Sequence, residues 1–323
     1  MRLALMVTPE CPVPPPAYGG AERCADAMVR WLMQHGHEVD LYCGPDSTCP
    51  AVNVIMARRP SMGEEPYLLE QVEKRIKEYD CVIDYTAHHL AGQKLDNVVS
   101  LMGGDPHKKY PHDEVKNKVY KSKEFAHFNG NVNGPIIPNL IEVDPWSVPY
   151  YGTNEEGGYP LYVGHILPMK GVHMAASACR KKGLKLVVYG EIKDAEYWDA
   201  FKDSVDYRGV LGSDRQMRND AFGNAAVFLH PVQVCDCDPL APKEAMLRGT
   251  PVIACPIGGL LSSVSPGISG FFARTTKEFV AMLQSVLFLE RQGVRQDIFQ
   301  KVNPDIIMPK LLFLCDRAGR VMW

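Results

Sequence analysis

Short apolar runs of strand length alternate with longer amphipathic runs along this chain, and the alternation restarts once. Consecutive strands joined by crossover helices must run parallel, so the pattern restricts the fold to doubly wound α/β sheets. In the first series strands are predicted over 2–7, 38–42, 52–56, 81–85 and 97–102, with weaker ones over 119–127 and 136–137. Gly19–Gly20 opens a helix whose Ala25, Met28, Val29 and Leu32 share one face, and Gly36 stops it. A second helix is predicted over 67–79. The polar, glycine-rich stretch TNEEGGYP at 153–160 reads as a linker. Strands over 161–163, 184–189, 206–208, 226–230 and 252–254 follow. Helices are predicted over 171–182, 214–222, 243–248 and 276–289, and a last helical region over 306–321. The expectation is a Rossmann-like domain over 1–152, a second over 153–305, and a C-terminal helix over 306–323 crossing back to the first. The two domains would face each other across a cleft.

Composition removes several alternatives. With 323 residues, 46% of them hydrophobic and 23% charged, the chain has the make-up of a globular protein with material for two cores. Residues 1–150 hold 15 basic and 20 acidic side chains and the remainder 20 and 18, so neither half has the excess of a dedicated nucleic-acid binder. Ten cysteines form no CxxC pair, and most lie in apolar runs, which suits reduced core thiols. MRLALMVTPE reads as a first buried strand, not a leader, and no run approaches the ~18 apolar residues of a membrane span. A soluble, cytoplasmic protein is expected.

Three segments carry chemistry. In PPPAYGGAER, residues 14–23, Gly19 and Gly20 stand where a loop enters a helix, so bare backbone N–H groups are available to an anion; a tight turn would use the same residues. In YVGHILPMKG, residues 162–171, His165 and Lys170 follow the first strand of the second series, at the end where open α/β sheets bind ligands. The third segment is CDCDPLAPKEAMLRGTPVIACPIGG, residues 235–259. There Glu244 is predicted on the first turn of a helix, and Gly258–Gly259 form a second backbone nest.

Taken in this order, the Gly-Gly loop, the Gly-His-x4-Lys-Gly turn and the EAMLRGTPVIACPIGG run resemble the retaining, nucleotide-sugar-dependent glycosyltransferases of family 4, the glycosyl transferases group 1 type, which have the GT-B fold. The resemblance implies an acceptor side in the first domain and a donor side in the second. It assigns Gly19, Gly20, His165, Lys170, Gly258 and Gly259 to the donor diphosphate and Glu244 to the ribose. His165 stands where arginine is usual. The family's Glu-x7-Glu pair maps its second member on Glu244 and its first, the sugar contact, on Asp236 or Asp238. Ser262 replaces a family glutamate. The cleft histidine expected after strand 81–85 is Thr86 here, with His88 and His89 following as candidates.

Asp236-Cys237-Asp238 has the form of a DxD metal motif, but it precedes the nucleotide helix of a two-domain chain, so no metal and no further cofactor is expected. No evident nucleophile is present, which fits displacement on the leaving-group side. The implied activity is transfer of a hexose from a nucleotide diphosphate sugar, UDP by default and GDP next, to a hydroxyl acceptor. That acceptor is a glycan, a lipid-linked species or a small molecule in preference to nucleic acid. A nucleotide-sugar epimerase or a catalytically weak nucleotide-sugar binder are the alternatives. His107 to Lys123 carries six lysines among Asp105, Asp113, Glu114 and Glu124: a mixed solvated face, or a basic wall for a membrane surface or anionic acceptor.

Overall fold

The computed structural model describes residues 1–17, 19–103, 114–141 and 158–320. The chain forms two compact units, one from 1–142 with 302–323 and one from 143–301.

The first unit runs β1 (Arg2–Val7), α1 (Gly20–Gln34), β2 (Glu38–Cys43), β3 (Asn53–Met56), α2 (Glu65–Arg75), β4 (Cys81–Tyr85), α3 (Leu90–Lys94), β5 (Val98–Met102), β6 (Lys118–Tyr120) and α4 (Lys123–Phe128). Its sheet has the order β3-β2-β1-β4-β5-β6, with parallel pairing throughout. Helices cover both faces of such a sheet, so β4 and β5 are buried at every position and read as unbroken apolar runs. Two expectations need correcting. The run 119–127 is not one strand: β6 ends at Tyr120, and the Ser122 hydroxyl accepts the Phe125 N–H at 3.2 Å to cap α4. The pair Ile136–Ile137 makes only an isolated bridge to Tyr120. The helix Pro304–Arg317 also belongs to this unit. It packs on α1, β4 and β5, burying Ile307, Met308, Leu311 and Cys315, and the Trp31 indole donates to Asp305 at 2.7 Å.

The second unit runs β7 (Tyr159–Val163), α5 (Val172–Lys181), β8 (Leu186–Tyr189), α6 (Ala195–Asp199), β9 (Val205–Tyr207), α7 (Arg215–Gly223), β10 (Ala225–His230), α8 (Leu240–Leu247), β11 (Val252–Ala254), α9 (Leu260–Ser263), β12 (Gly270–Phe272), α10 (Thr276–Ser285) and α11 (Arg291–Val302). The order is β12-β11-β10-β7-β8-β9, again all parallel. The linker expected at 153–160 lies outside the described residues up to 157, and β7 takes its end. In both sheets the chain winds outward in one direction and then returns beside its first strand. That places a topological switch point between β1 and β4, and another between β7 and β10, where such sheets bind ligands.

Phe279 of α10 is fully buried in the core shared with Val172, Ala175 and Leu186. Phe279→Ala is expected to cost about 3–5 kcal/mol of unfolding free energy in urea titrations, the usual range for an emptied phenylalanine site.

Candidate active site

At the second switch point the loops after β7 and β10 are locked together by a glycine. Gly171 closes the turn after β7 with φ +67°, and a Cβ there would lie 2.1 Å from the Pro231 carbonyl oxygen. Only glycine permits that approach. The Gln233 N–H then donates to the Met169 carbonyl at 3.0 Å. The result brings Lys170 and Asp236 together, Nζ to Oδ2 at 3.4 Å, both half-buried.

The backbone of Asp236 is fixed from its other side. Gly258 adopts φ +61°, where a Cβ would stand 2.2 Å from the Asp236 carbonyl oxygen, and the Gly259 N–H donates to that oxygen at 2.9 Å. The Gly259 amide is therefore spent on the loop that presents Asp236, not left for an anion. β10 ends at His230, at the same switch point. Its ring is buried, and burial pushes its pKa down to about 3, helped by the Lys170 charge and opposed by Asp236.

The two candidate aspartates separate. Asp238 is 2% exposed, paired with the buried Lys243 ammonium and accepting from the Ser263 hydroxyl at 3.4 Å. Asp236 keeps 27% of its side chain exposed beside Lys170. Of the two, Asp236 is the carboxylate a ligand can reach.

Glu244 is not on a first helical turn. The prolines in DPLAPKE suggest a loop running up to 242, yet α8 already starts at Leu240 and holds Pro242 in its first turn, where the missing N–H costs no hydrogen bond. Glu244 is thus the fifth helical residue, and its charge is met by Arg218 of α7. The guanidinium takes both carboxylate oxygens, with Nε to Oε1 at 3.2 Å and Nη2 against Oε2. Arg218 also donates to the Gly212 carbonyl at 3.2 Å, and Arg248 to the Glu244 carbonyl at 2.7 Å. Nothing in the local sequence distinguishes Arg218 from an ordinary helix-surface arginine. A carboxylate offers about four acceptor positions, more than the two that Arg218 engages.

His165 is half-buried, its Nε2 3.8 Å from Glu191. Burial, then the Lys193 and Lys170 charges, lower its pKa against the pull of Glu191. At neutral pH it offers a neutral donor, not a second cation. Ser262 lies on α9, immediately after the Gly258–Gly259 turn.

In the first unit Gly19 precedes α1 with φ +152°, and a Cβ there would meet Pro15 at 2.7 Å and the Glu22 carboxylate at 2.8 Å. Gly20 is the first residue of α1. Glu22 is buried in that first turn, and its pKa is raised by burial and then by Glu10.

The loop after β4 holds the histidine candidates. Glu65, fully buried at the start of α2, accepts His88 Nδ1 at 2.9 Å, the Leu90 N–H at 3.1 Å and the Thr86 hydroxyl at 2.7 Å. His88 keeps 37% of its side chain exposed. His89 does not line a surface: its φ of +51° turns the ring inside, fully buried and 3.6 Å from Asp84. Burial alone would raise the Asp84 carboxyl. The bonds and charge from His89, with Thr86 and the Gly92 amide, outweigh it and hold the pKa low. Thr86 is itself buried between the two carboxylates, so of the three positions His88 alone can be met from outside.

The basic segment does not make a uniform wall. Residues 107–113, including Lys108 and Lys109, lie outside the described residues. Lys121 is 1% exposed with its ammonium 4.0 Å from the Tyr85 ring centroid, and Lys116 pairs with Asp96 at 2.7 Å. All ten cysteines are free thiols, and burial pushes Cys43 up to about 11 and Cys179 up to about 12. Among the described residues no helix is long and apolar enough to cross a membrane.

Two parallel, doubly wound units, each with a switch point at the middle of its sheet, fit the GT-B class of α/β fold. Residues 149–298, which span most of the second unit, match the family model of glycosyl transferases group 1. Over 110 residues the chain is 26% identical to a GDP-mannose-dependent alpha-mannosyltransferase of Corynebacterium glutamicum; the match spans 34% of this chain and 26% of that relative. Among solved structures it resembles AviGT4, a glycosyltransferase involved in avilamycin A biosynthesis, with TM-score 0.79, 21% identity and coverage of 100% and 99% of the two chains. Anabaena Alr3699/HepE in complex with UDP and glucose gives TM-score 0.71, 15% identity and coverage of 97% and 98%. The catalytic domain of starch synthase IV from Arabidopsis thaliana, bound to ADP and acarbose, gives 0.72, 14%, 99% and 100%.

Two stability consequences follow from the buried groups. Asp238→Asn removes a carboxylate charge paired with the buried Lys243 ammonium and is expected to cost about 3–5 kcal/mol by urea unfolding. His230 is neutral in the fold, whereas in the unfolded chain its ring takes a proton near pH ~6.5. The unfolded state therefore binds more protons between about pH 6.5 and about 3, so stability is intact above that window and falls as the pH drops through it, by about 1.4 kcal/mol per unit. His230→Phe is expected to remove that portion of the slope when unfolding is followed between pH 7 and 5.

Proposed function

We propose that this protein transfers a hexose from a nucleoside diphosphate sugar to a hydroxyl acceptor, with retention of configuration. The observation that carries the proposal is the convergence of Lys170 and Asp236 at the β7/β10 switch point of the glycosyl transferases group 1 domain. A cation and a carboxylate 3.4 Å apart match what the bond to be broken needs: charge for a departing diphosphate and an acceptor for sugar hydroxyls. In this reading Lys170 and the neutral His165 bind the diphosphate, and Asp236 takes the sugar. Glu244, steadied by Arg218, accepts the ribose hydroxyls. Gly19, Gly20, Gly258 and Gly259 are assigned to the diphosphate by resemblance, and the Gly259 amide would have to exchange its present bond to serve there. His88, held through Nδ1 by Glu65, is the first unit's candidate for a catalytic role. Leaving-group charge met by Lys170 and backbone donors requires no metal, so activity is expected to persist in EDTA.

UDP is the first choice of donor nucleotide, supported by the UDP named with HepE, and GDP the second, supported by the GDP-mannose named with the curated relative. The acceptor in this reading is a glycan, a lipid-linked species or a small molecule, encountered in the reducing environment that suits ten free thiols.

The test is calorimetric binding of UDP, GDP, ADP, CDP and TDP and their sugars to the wild type and to Glu244→Gln, followed by product analysis. One nucleotide is expected to bind selectively and to lose about tenfold or more in Glu244→Gln, the scale of a lost hydrogen bond to a charged group. A new glycoside with the donor's anomeric configuration supports the reading. An epimerised donor identifies an epimerase, an unchanged one a binding protein, and absence of binding to every nucleotide ends the nucleotide-sugar reading.

A further inference from the structure

His230 is not among the residues that the motifs single out, yet it occupies the position of the second unit that most needs an explanation. It is the last residue of β10, which pairs with β7 on one side and β11 on the other, so it sits beside the switch point in the middle of the sheet. Its backbone is held by the Cys255 N–H, which donates to its carbonyl at 3.0 Å. Its ring lies near-parallel to that of Phe228, at 6.1 Å between centroids. The side chain is 95% buried, and among the described residues neither Nδ1 nor Nε2 has a hydrogen-bond partner. Buried polar side chains are nearly always bonded, and an orphaned one points to a missing ligand or to a cost borne for function. The charged groups that act on the ring are Lys170 and Asp236, the pair brought together at this switch point.

Resting on the nucleotide-sugar reading above, we propose that His230 forms the floor of the donor pocket and reads a hydroxyl group of the transferred sugar. The choice of sugar over diphosphate comes from the inventory of the ring. A neutral imidazole has one N–H donor and one bare nitrogen acceptor. A phosphate oxygen can accept from the N–H but has no proton to give the bare nitrogen. A sugar hydroxyl both accepts and donates, so it can serve either ring nitrogen. Lys170, whose charge acts on the ring, is the group suited to the diphosphate. Burial keeps the ring uncharged across the physiological range, so this inventory does not change with pH there. His230 is therefore a specificity-determining residue, one that makes the sugar, and not the nucleotide alone, complete the hydrogen bonding of the unit.

The experiment compares His230→Phe with wild type. Phenylalanine keeps a planar ring beside Phe228 and removes both nitrogens. Calorimetric Kd values are measured for UDP against UDP-glucose and for GDP against GDP-mannose. The expected result is a nucleoside diphosphate Kd within about twofold of wild type and a nucleotide-sugar Kd weakened about tenfold or more, as for a site whose hydroxyl contact is lost. Equal weakening of both ligands would reassign the ring to the diphosphate and overturn the proposal. Unchanged binding of both would overturn it as well, by reducing His230 to a core residue. Failure of the wild type to bind any of the four sinks the donor reading itself and this inference with it, an outcome separate from the other two. Should His230→Phe not fold, ¹⁵N-histidine spectra of the wild type decide. The His230 ring resonances are expected to shift toward hydrogen-bonded values with the nucleotide sugar and not with the nucleoside diphosphate; no difference between the two additions overturns the proposal.

Discussion

The second unit's site rests on two approaches of backbone to backbone that only glycine allows. Gly171 lets the turn after β7 touch the Pro231 carbonyl, and Gly258 lets the turn after β11 touch the Asp236 carbonyl. Between these contacts the loop from 231 to 236 has little freedom, because it is gripped from both neighbouring strands. Lys170 and Asp236 meet as a result of that grip and not through any attraction strong enough to gather two loops; a partly exposed pair at 3.4 Å contributes at most about 1 kcal/mol. The rigid backbone comes first and the chemistry stands on it.

Charges in this unit are graded by depth. Lys243 and Asp238 neutralise each other in the interior, Arg218 and Glu244 do so just under the surface, and Lys170 and Asp236 are the most exposed of these three pairs. The deeper pairs orient α8 and the loop before it. The outer one retains unsatisfied valences in reach of a ligand. A similar division holds in the first unit, where Asp84 and Glu65 are spent on the loop after β4 and leave His88 at its surface.

Much of this architecture is legible in the sequence itself. Parallel sheets write themselves as apolar runs, so the strands of both sheets other than β12 could be read, and glycines at helix entrances marked the turns. The misreadings have specific causes. Ser122 switched a β-like run into α4 through one hydroxyl, and Pro242 hid the first turn of α8 although proline is harmless there. Arg218, Glu65 and His230 were not found because their significance lies in contacts across 26, 23 and similar separations, or in the lack of them, and local pattern carries no trace of either. Asp236 and Asp238 were indistinguishable in sequence for the same reason: two residues apart on one loop, they differ only in which lysine each one meets.

The C-terminal helix Pro304–Arg317 has a consequence for biogenesis. It supplies a packing layer over α1, β4 and β5, yet it is encoded after the whole of the second unit. At ~5–20 residues per second, a ribosome takes about 8–30 s to make residues 143–301. For that interval the nascent first unit carries the apolar faces of α1 and its sheet uncovered, and Trp31 waits for Asp305. The second unit can be complete while the first is not, so the order of maturation runs against the order of synthesis, and the nascent chain is most open to chaperones and to misassociation in its oldest part.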